Sequence, residues 1–208
     1  MPPTPDNPGS YNRQDERPDA EFYSVPRLVK HIDDRAIAEV TRLYRESLPT
    51  GGEILDLMTS WVSHLPDEVS YARVSGLGMN EEELRSNPRL DDYEIHDLNE
   101  NPALPYTADE FDAAAICVSV DYLTRPVEVL RDLGRVVRSG GPVIITFSNR
   151  CFPTKVVSEW LRRDDRERMV LVEEYLREAG NWKNIQSMDR SPDHPFADPL
   201  YAVIATGT

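Results

Sequence analysis

The residues best suited to bind a polar ligand begin at Asp56, near the end of a short apolar segment. Met58, Thr59, Ser60 and Trp61 follow in close succession. A carboxylate accepts hydrogen bonds, hydroxyls donate and accept them, and the face of an indole attracts cations. The alternatives are that Asp56 bonds to nearby backbone, and that Met58 and Trp61 simply pack in the core.

A second carboxylate, Asp97, stands beside Leu98 after another segment that predicts a strand. Between the two carboxylates, Gly78, Met79 and Asn80 follow a further predicted strand. Parallel strands place their carboxyl ends at one edge of a sheet, and such sheets bind ligands there. We therefore expect both groups of residues to lie near the loop that follows the first carboxylate.

Four side chains are candidates for removing a proton from a substrate or for orienting it. In descending preference they are Tyr122, Asn149, His31 and His64. A lone histidine is more often a surface or hydrogen-bonded structural residue. No histidine has a second ligand three or four residues away in a predicted helix, and no triad spacing is present, so neither a metal site nor a catalytic triad is expected.

The elements that must position these residues alternate along the chain. Apolar residues recur at three- and four-residue spacing over 34–48 and predict an amphipathic helix. Further helices are predicted over 80–86, 126–137, 154–162 and 164–179, and strands over 53–57, 72–77, 93–96, 111–120, 142–147, 184–188 and 200–205. This order predicts an α/β fold: a doubly wound, mostly parallel seven-stranded sheet with helices on both faces. The link over 189–199 is too short for a helical crossover, so the last strand is expected to be antiparallel.

Length and composition indicate the number of domains and exclude some classes of partner. The 208 residues suit one domain, and the polar, Pro-rich residues 1–20 predict a disordered leader before a single domain over 21–208. There is no signal-peptide pattern and no apolar run of bilayer length, so a cytoplasmic protein without a membrane partner is expected. The net charge of −14, with Lys and Arg scattered, argues against nucleic acid. A monomer and a homodimer both stay open.

Four blocks in the correct order resemble the class I, Rossmann-like S-adenosylmethionine-dependent methyltransferases, especially the methyltransferase type 11 group. The blocks are ILDL at 54–57, SGLGMN at 75–80, HDL at 96–98, and the apolar strand, helix and glycine turn over 111–141. The resemblance covers roughly residues 53–141 and implies S-adenosylmethionine as the cofactor. A final antiparallel strand is also a trait of this family.

The resemblance implies roles for individual residues. The acidic residue of the third block, Asp97, would receive the adenine amino group. Residues 21–35 resemble the N-terminal lid of many class I enzymes, in which Tyr23 and Arg27 would bind the methionine carboxylate; the alternative is an ordinary first helix. The full cofactor-binding set is Tyr23, Arg27, Asp56, Met58, Thr59, Ser60, Trp61, Gly78, Met79, Asn80, Asp97, Leu98 and Ser119.

Two departures from the family pattern concern the methionine and ribose parts of the cofactor. The family usually carries glycines after the first acidic residue, whereas residues 58–62 read MTSWV. Either the loop stands further from the cofactor, or the hydroxyls of Thr59 and Ser60 replace those backbone contacts, with Trp61 beside the sulfonium as a cation–π partner. Gly78 stands where the family carries a carboxylate for the ribose, and Asn80 is the expected substitute.

The expected function is transfer of a methyl group from S-adenosylmethionine to a small-molecule acceptor. Such a reaction needs mainly positioning, because the sulfonium is already activated. The alternative is a non-catalytic methyltransferase-like domain that acts as a binding or regulatory module, which the missing glycines favour. A nicotinamide-dependent oxidoreductase is a weaker third interpretation, because no G-x-G-x-x-G follows the first strand.

Overall fold

One mixed sheet of seven strands forms the centre of the computed structural model, which describes residues 11–208. The strand order is β3-β2-β1-β4-β5-β7-β6. The bounds are β1 Glu53–Leu57, β2 Arg73–Gly78, β3 Asp92–Ile95, β4 Ala113–Cys117, β5 Pro142–Phe147, β6 Trp182–Asp189 and β7 Tyr201–Gly207. Strands β1 to β5 pair in parallel, and β7 lies antiparallel between β5 and β6. The predicted doubly wound sheet and its antiparallel end are confirmed.

Helices cover both faces of this sheet. They are α1 Asp19–Phe22, α2 Asp34–Ser47, α3 Glu81–Ser86, α4 Pro126–Val136, α5 Ser158–Leu161 and α6 Asp165–Ala179. Side chains alternate across a strand, so Ile54 packs in the cluster formed with α2 while its neighbour Leu55 packs in the cluster formed with α4 and α6. Within the described residues, no helix is both long enough and apolar enough to cross a bilayer.

The helix ends follow from local side chains. The Asp33 carboxylate accepts hydrogen bonds from the first amides of α2. Asp164 and Glu167 form a reciprocal capping box at the start of α6, and Gly180 ends that helix at φ 84°. These short-range signals explain why the predicted bounds of the two long helices agree closely with the structure.

Two predicted elements are shorter in the structure than the apolar pattern indicated. The strand predicted over 111–120 is regular only over β4, although Phe111 forms an isolated bridge with Val137. It ends before Val118, which has a φ of 46°, and residues Val120–Tyr122 form a 3-10 turn. The helix predicted over 154–162 is reduced to the single turn of α5. In both places buried residues lie in a bend rather than in a longer regular element.

The N-terminal segment differs from the predicted disordered leader over 1–20. Residues 1–10 lie outside the described part of the chain, but residues 11–20 pack on the domain. Tyr11 is buried, with its ring 6.3 Å from that of Tyr175 on α6. The amide of Asp15 donates to the carbonyl of Thr154 at 2.8 Å. Composition misses this order because it arises from contacts with residues far along the chain.

Candidate functional site

A cavity of about 540 Å³ opens at the carboxyl edge of the parallel strands. It is bounded by the loops after β1, β2, β3, β4 and β5 and by the segment between α1 and α2. Every candidate that the sequence named lines it: Tyr23, Arg27, His31, Asp56, Met58, Thr59, Ser60, Trp61, His64, Gly78, Met79, Asn80, Asp97, Leu98, Ser119, Tyr122 and Asn149.

The loop after β1 is held by Asp56. The buried Asp56 carboxylate accepts a hydrogen bond from Thr59 Oγ1 at 2.6 Å. Burial raises the pKa of Asp56 to about 6, although hydrogen bonds from Ser63 and Thr59 oppose the rise. Met58 adopts a φ of 59°, the left-handed region that usually requires glycine. The loop therefore keeps a glycine-like backbone turn while carrying side chains.

The same loop explains why Gly78 has no side chain. A Cβ on Gly78 would lie 2.5 Å from the carbonyl oxygen of Thr59, too close for any other residue. The Thr59 amide in turn donates to the carbonyl of Leu77 at 2.9 Å, which fixes the loop against the end of β2. A carboxylate at position 78 is thus excluded by the path of the loop.

Asn80 is used differently from the expected ribose contact. Its Oδ1 accepts the amides of Glu82 and Glu83 as the cap of α3. Its Nδ2 donates to the carbonyl of Tyr23 at 2.8 Å. Both ends of this amide group are therefore engaged within the protein, and Asn80 holds the N-terminal segment in place.

We call residues 23–31 the lid, because they form one wall of the cavity without helix or strand structure. The indole Nε1 of Trp61 donates to the carbonyl of Val29 at 3.0 Å. The amide of Arg27 donates to Glu83 Oε1 at 2.6 Å. Together with Asn80, these contacts join the lid to the loop after β1 and to α3. The alternative, an ordinary first helix, is seen only as the single turn of α1, which ends before the lid begins.

The guanidinium of Arg27 lies among aromatic rings and carbonyls. It donates to the carbonyls of Phe22 at 2.9 Å and Val25 at 3.3 Å. It also sits 4.3 Å from the centre of the Phe22 ring and 5.6 Å from that of Phe152. This geometry keeps a cation inside the cavity on the lid side.

The proton-transfer candidates are neutral at pH 7. Burial, with Asp121 nearby, raises the pKa of Tyr122 far above its usual value, and its hydroxyl accepts the Phe152 amide at 2.8 Å. Burial lowers the pKa of His31, and burial together with Lys30 and His31 lowers that of His64 to about 4. Tyr122 is thus placed to donate a hydrogen bond, and the histidines to accept one.

At the other end of the cavity, Asp97 and Leu98 follow β3. Oδ1 of Asp97 accepts the amides of Asn99 at 2.9 Å and Glu100 at 3.3 Å, which closes a tight turn. Leu98 is buried beneath it. The buried hydroxyl of Ser119 has no hydrogen-bond partner among residues 11–208, so it is a polar atom for which a ligand would be a suitable partner. No group of three or more potential metal ligands occurs in the same residues.

Two residues that the sequence reasoning missed also form the cavity. Phe152 stacks edge-on against His31 at 5.3 Å and contacts Tyr122, yet its irregular surroundings gave no periodic signal. Glu83 follows Asn80 by three residues, a spacing typical of a helix start, which was the available signal. Its carboxylate turns instead toward the lid and the loop after β1.

Comparison with known proteins shows that this chain is similar to solved structures in fold. No protein-family model matches the chain, and no curated protein matches it in sequence. Among solved structures, the cyclase SpnF is 16% identical with a TM-score of 0.63 over 91% of this chain and 90% of that chain. An S-adenosylmethionine-dependent methyltransferase from Mesorhizobium loti is 17% identical, with a TM-score of 0.57 over 81% and 97%.

A third solved structure contains ligands. Haemonchus contortus phosphoethanolamine N-methyltransferase 2, in complex with phosphomonomethylethanolamine and S-adenosylhomocysteine, is 13% identical with a TM-score of 0.58. The match covers 82% of this chain and 52% of that chain. In this chain β7 lies antiparallel between β5 and β6, as the resemblance to class I methyltransferases implied. This chain has the class I methyltransferase fold.

Proposed function

We propose that this protein binds S-adenosylmethionine and transfers its methyl group to a small-molecule acceptor. One observation carries the proposal: residues chosen from the sequence, from Tyr23 to Asn149, line a single cavity at the carboxyl edge of the sheet. The class I methyltransferase fold supports it, since such sheets bind ligands at that edge. A small acceptor is supported by the cavity volume of about 540 Å³, which is in the range of small-molecule sites.

In this proposal the adenine and the methionine half of the cofactor occupy opposite ends of the cavity. Asp97 and Leu98 hold the adenine, and Ser119 offers an unpartnered hydroxyl in the lining of the same cavity. The methionine half lies between the lid and the loop after β1, where Thr59 and Ser60 carry hydroxyls. The ribose is held by backbone and neighbouring groups, because Gly78 has no side chain.

The residues of this chain act mainly by positioning. The bound cofactor supplies an activated methyl group on a sulfonium. The lid and Phe152 exclude water, which favours a displacement that needs alignment more than acid or base strength. Tyr122 donates a hydrogen bond to the acceptor, and the neutral His31 takes up a proton when the acceptor carries one. A pKa of about 4 makes His64 a weak base, so its role is orientation.

A non-catalytic binding module is the second candidate, and a specific observation favours it. The loop after β1 closes onto Gly78, in the place where a ribose carboxylate would stand. The neighbour SpnF is described as a cyclase, so proteins with this fold also carry out other chemistry. Binding of the cofactor without turnover over a panel of small acceptors would support this alternative.

Calorimetric titration with S-adenosylmethionine and S-adenosylhomocysteine tests the proposal, with NAD as the control ligand. Replacing Asp97 by Ala should weaken S-adenosylhomocysteine binding by about 1 to 3 kcal/mol, because a charge-assisted hydrogen bond to the adenine amino group is lost. Glu94→Ala on β3, an exposed residue outside the cavity lining, is the matched control. Absence of binding at millimolar cofactor would reject the proposed function, and unchanged affinity in D97A would reject this placement of the adenine.

A further inference from the structure

Glu83 places a buried carboxylate in the wall of the cavity. The residue is 8% exposed and lines the space between the lid and the loop after β1. Oε1 accepts the amide of Arg27 at 2.6 Å, and Oε2 accepts Ser60 Oγ at 2.6 Å. Both donors are neutral, and nowhere in residues 11–208 does a Lys, Arg or His form an ion pair with Glu83.

A buried carboxylate without a cation is costly, because the protein interior solvates charge less well than water does. The guanidinium of Arg27, which also lines the cavity, is a cation without an anionic partner among the described residues. It donates only to the carbonyls of Phe22 and Val25, and it forms no ion pair in the part of the chain that the structure describes. Glu83 and Arg27 thus place an anion and a cation in the wall of the same cavity, each without an ion-pair partner among residues 11–208, and the backbone amide of Arg27 links the two residues.

We propose that Glu83 receives the ammonium group, and Arg27 the carboxylate, of the amino-acid end of the cofactor. This inference rests on the proposed function and adds a residue to it. In a zwitterionic α-amino acid, the ammonium and the carboxylate are attached to the same carbon. Such a group can therefore pair with an anion and a cation that line the same cavity. The position is consistent with the rewritten loop, because Ser60 of that loop is itself oriented by Glu83.

Replacing Glu83 by Gln separates this role from a merely structural one. Glutamine keeps an oxygen that accepts the Arg27 amide, and its amide group can donate to Ser60 Oγ, so the neutral link between lid and loop is preserved. Only the negative charge is removed. Glu82→Gln is the matched control, since Glu82 lies on the same helix with an exposed side chain.

The experiment is calorimetric titration of the full chain with two ligands that share the adenosine part. S-adenosylhomocysteine carries the amino-acid group, and 5′-methylthioadenosine lacks it. We expect E83Q to weaken S-adenosylhomocysteine binding at least about tenfold and to leave 5′-methylthioadenosine binding within about twofold, while E82Q changes neither. Arg27→Gln should show the same selective loss, which keeps the test valid if E83Q folds poorly.

Three results would overturn the inference. In the first, wild type and E83Q bind S-adenosylhomocysteine equally well, so the proposed function survives and only the role of Glu83 is wrong. In the second, E83Q loses affinity for both ligands equally, which identifies Glu83 as a structural link between lid and loop. In the third, wild type binds neither ligand, and the proposed function fails together with this assignment.

Discussion

The buried carboxylates around the cavity differ in what compensates their charge. Asp19 forms ion pairs with Arg13 and Lys155, and Asp56 accepts hydrogen bonds from hydroxyls. Burial raises the pKa of Asp121 to about 7, opposed by a hydrogen bond from its own backbone amide and by the charge of Arg168. A folded protein that keeps such a group has a pH-dependent stability.

Asp121 is expected to make the protein less stable as the pH rises. Its pKa lies near 3.8 when exposed and at about 7 in the fold, so the folded state binds the proton more tightly. The contribution of Asp121 to the free energy of unfolding is complete below pH 4 and is lost as the pH rises through 7. The total loss is up to roughly 4 kcal/mol. Urea unfolding at pH 5 and pH 8 should show this fall, with a smaller part from Asp56. Asp121→Asn should flatten the profile.

Asp132→Asn is the control for that measurement, because Asp132 is paired with Arg135 at the surface and the pKa of its carboxyl is lowered rather than raised. It should leave the fall between pH 5 and pH 8 unchanged. An Asp121→Asn protein with the same pH dependence as wild type would show that Asp121 is not the titrating group.

Two of the non-glycine residues with left-handed backbone conformations lie at the cavity directly after a strand. Met58 follows β1 with a φ of 59°, and Val118 follows β4 with a φ of 46°. Each such conformation costs about 1 to 3 kcal/mol and persists only where contacts with the surrounding structure hold the backbone in place. Both occur where strands end at the cavity, which agrees with a binding role for this edge of the sheet.

Among the elements, the N-terminal segment is fixed by a cluster of buried charges. Asp19 accepts from Arg13 Nη1 at 2.7 Å, from Asn99 Nδ2 at 2.8 Å and from Lys155 Nζ at 2.9 Å. Burial alone would raise the pKa of Asp19, but these hydrogen bonds lower it below its usual value. The cluster joins the segment before the lid to the loops after β3 and β5.

Replacing Asp19 by Ala should destabilise the protein strongly. The side chain of Lys155 is fully buried, so the change leaves an ammonium group inside the protein without its closest carboxylate. The expected loss is about 3 to 5 kcal/mol in the free energy of unfolding, measured by urea denaturation. Glu68→Ala, which removes an exposed partner of Arg45, should cost about 1 kcal/mol or less. Equal losses in the two variants would contradict a structural role for the cluster.

For the whole molecule, the cavity couples distant parts of the chain. Its walls come from the N-terminal segment, the lid and the loops after five parallel strands. A ligand bound there contacts the folded state only, so its binding energy adds to the stability of the entire domain.

S-adenosylhomocysteine at one hundred times its Kd should therefore stabilise the protein by about 2.7 kcal/mol. For a domain of this size, that corresponds to a rise in Tm of roughly 5 to 10 °C, measured by differential scanning calorimetry. NAD at the same concentration should leave the Tm unchanged. Binding heat without a rise in Tm would mean that the ligand binds the unfolded chain as tightly as the folded protein.

The sequence by itself determined the sheet, its helices and the edge at which the site lies. Short apolar runs identified the strands, and apolar spacing of three to four residues identified the long helices, because both patterns depend on the backbone over only a few residues. The order of the elements then fixed which strand ends share an edge, and so brought residues as far apart as Asp56 and Asp97 to one cavity.

Only the tertiary structure decided how those residues are used. The closure of Thr59 onto Gly78, the contact of Asn80 with the lid and the burial of Tyr11 and Asp19 depend on contacts between segments distant in sequence. The unpaired charge of Glu83 belongs to the same group, since its environment is formed by the lid and by Ser60. Local periodicity carries no record of such contacts, because they arise only when the chain has folded back on itself.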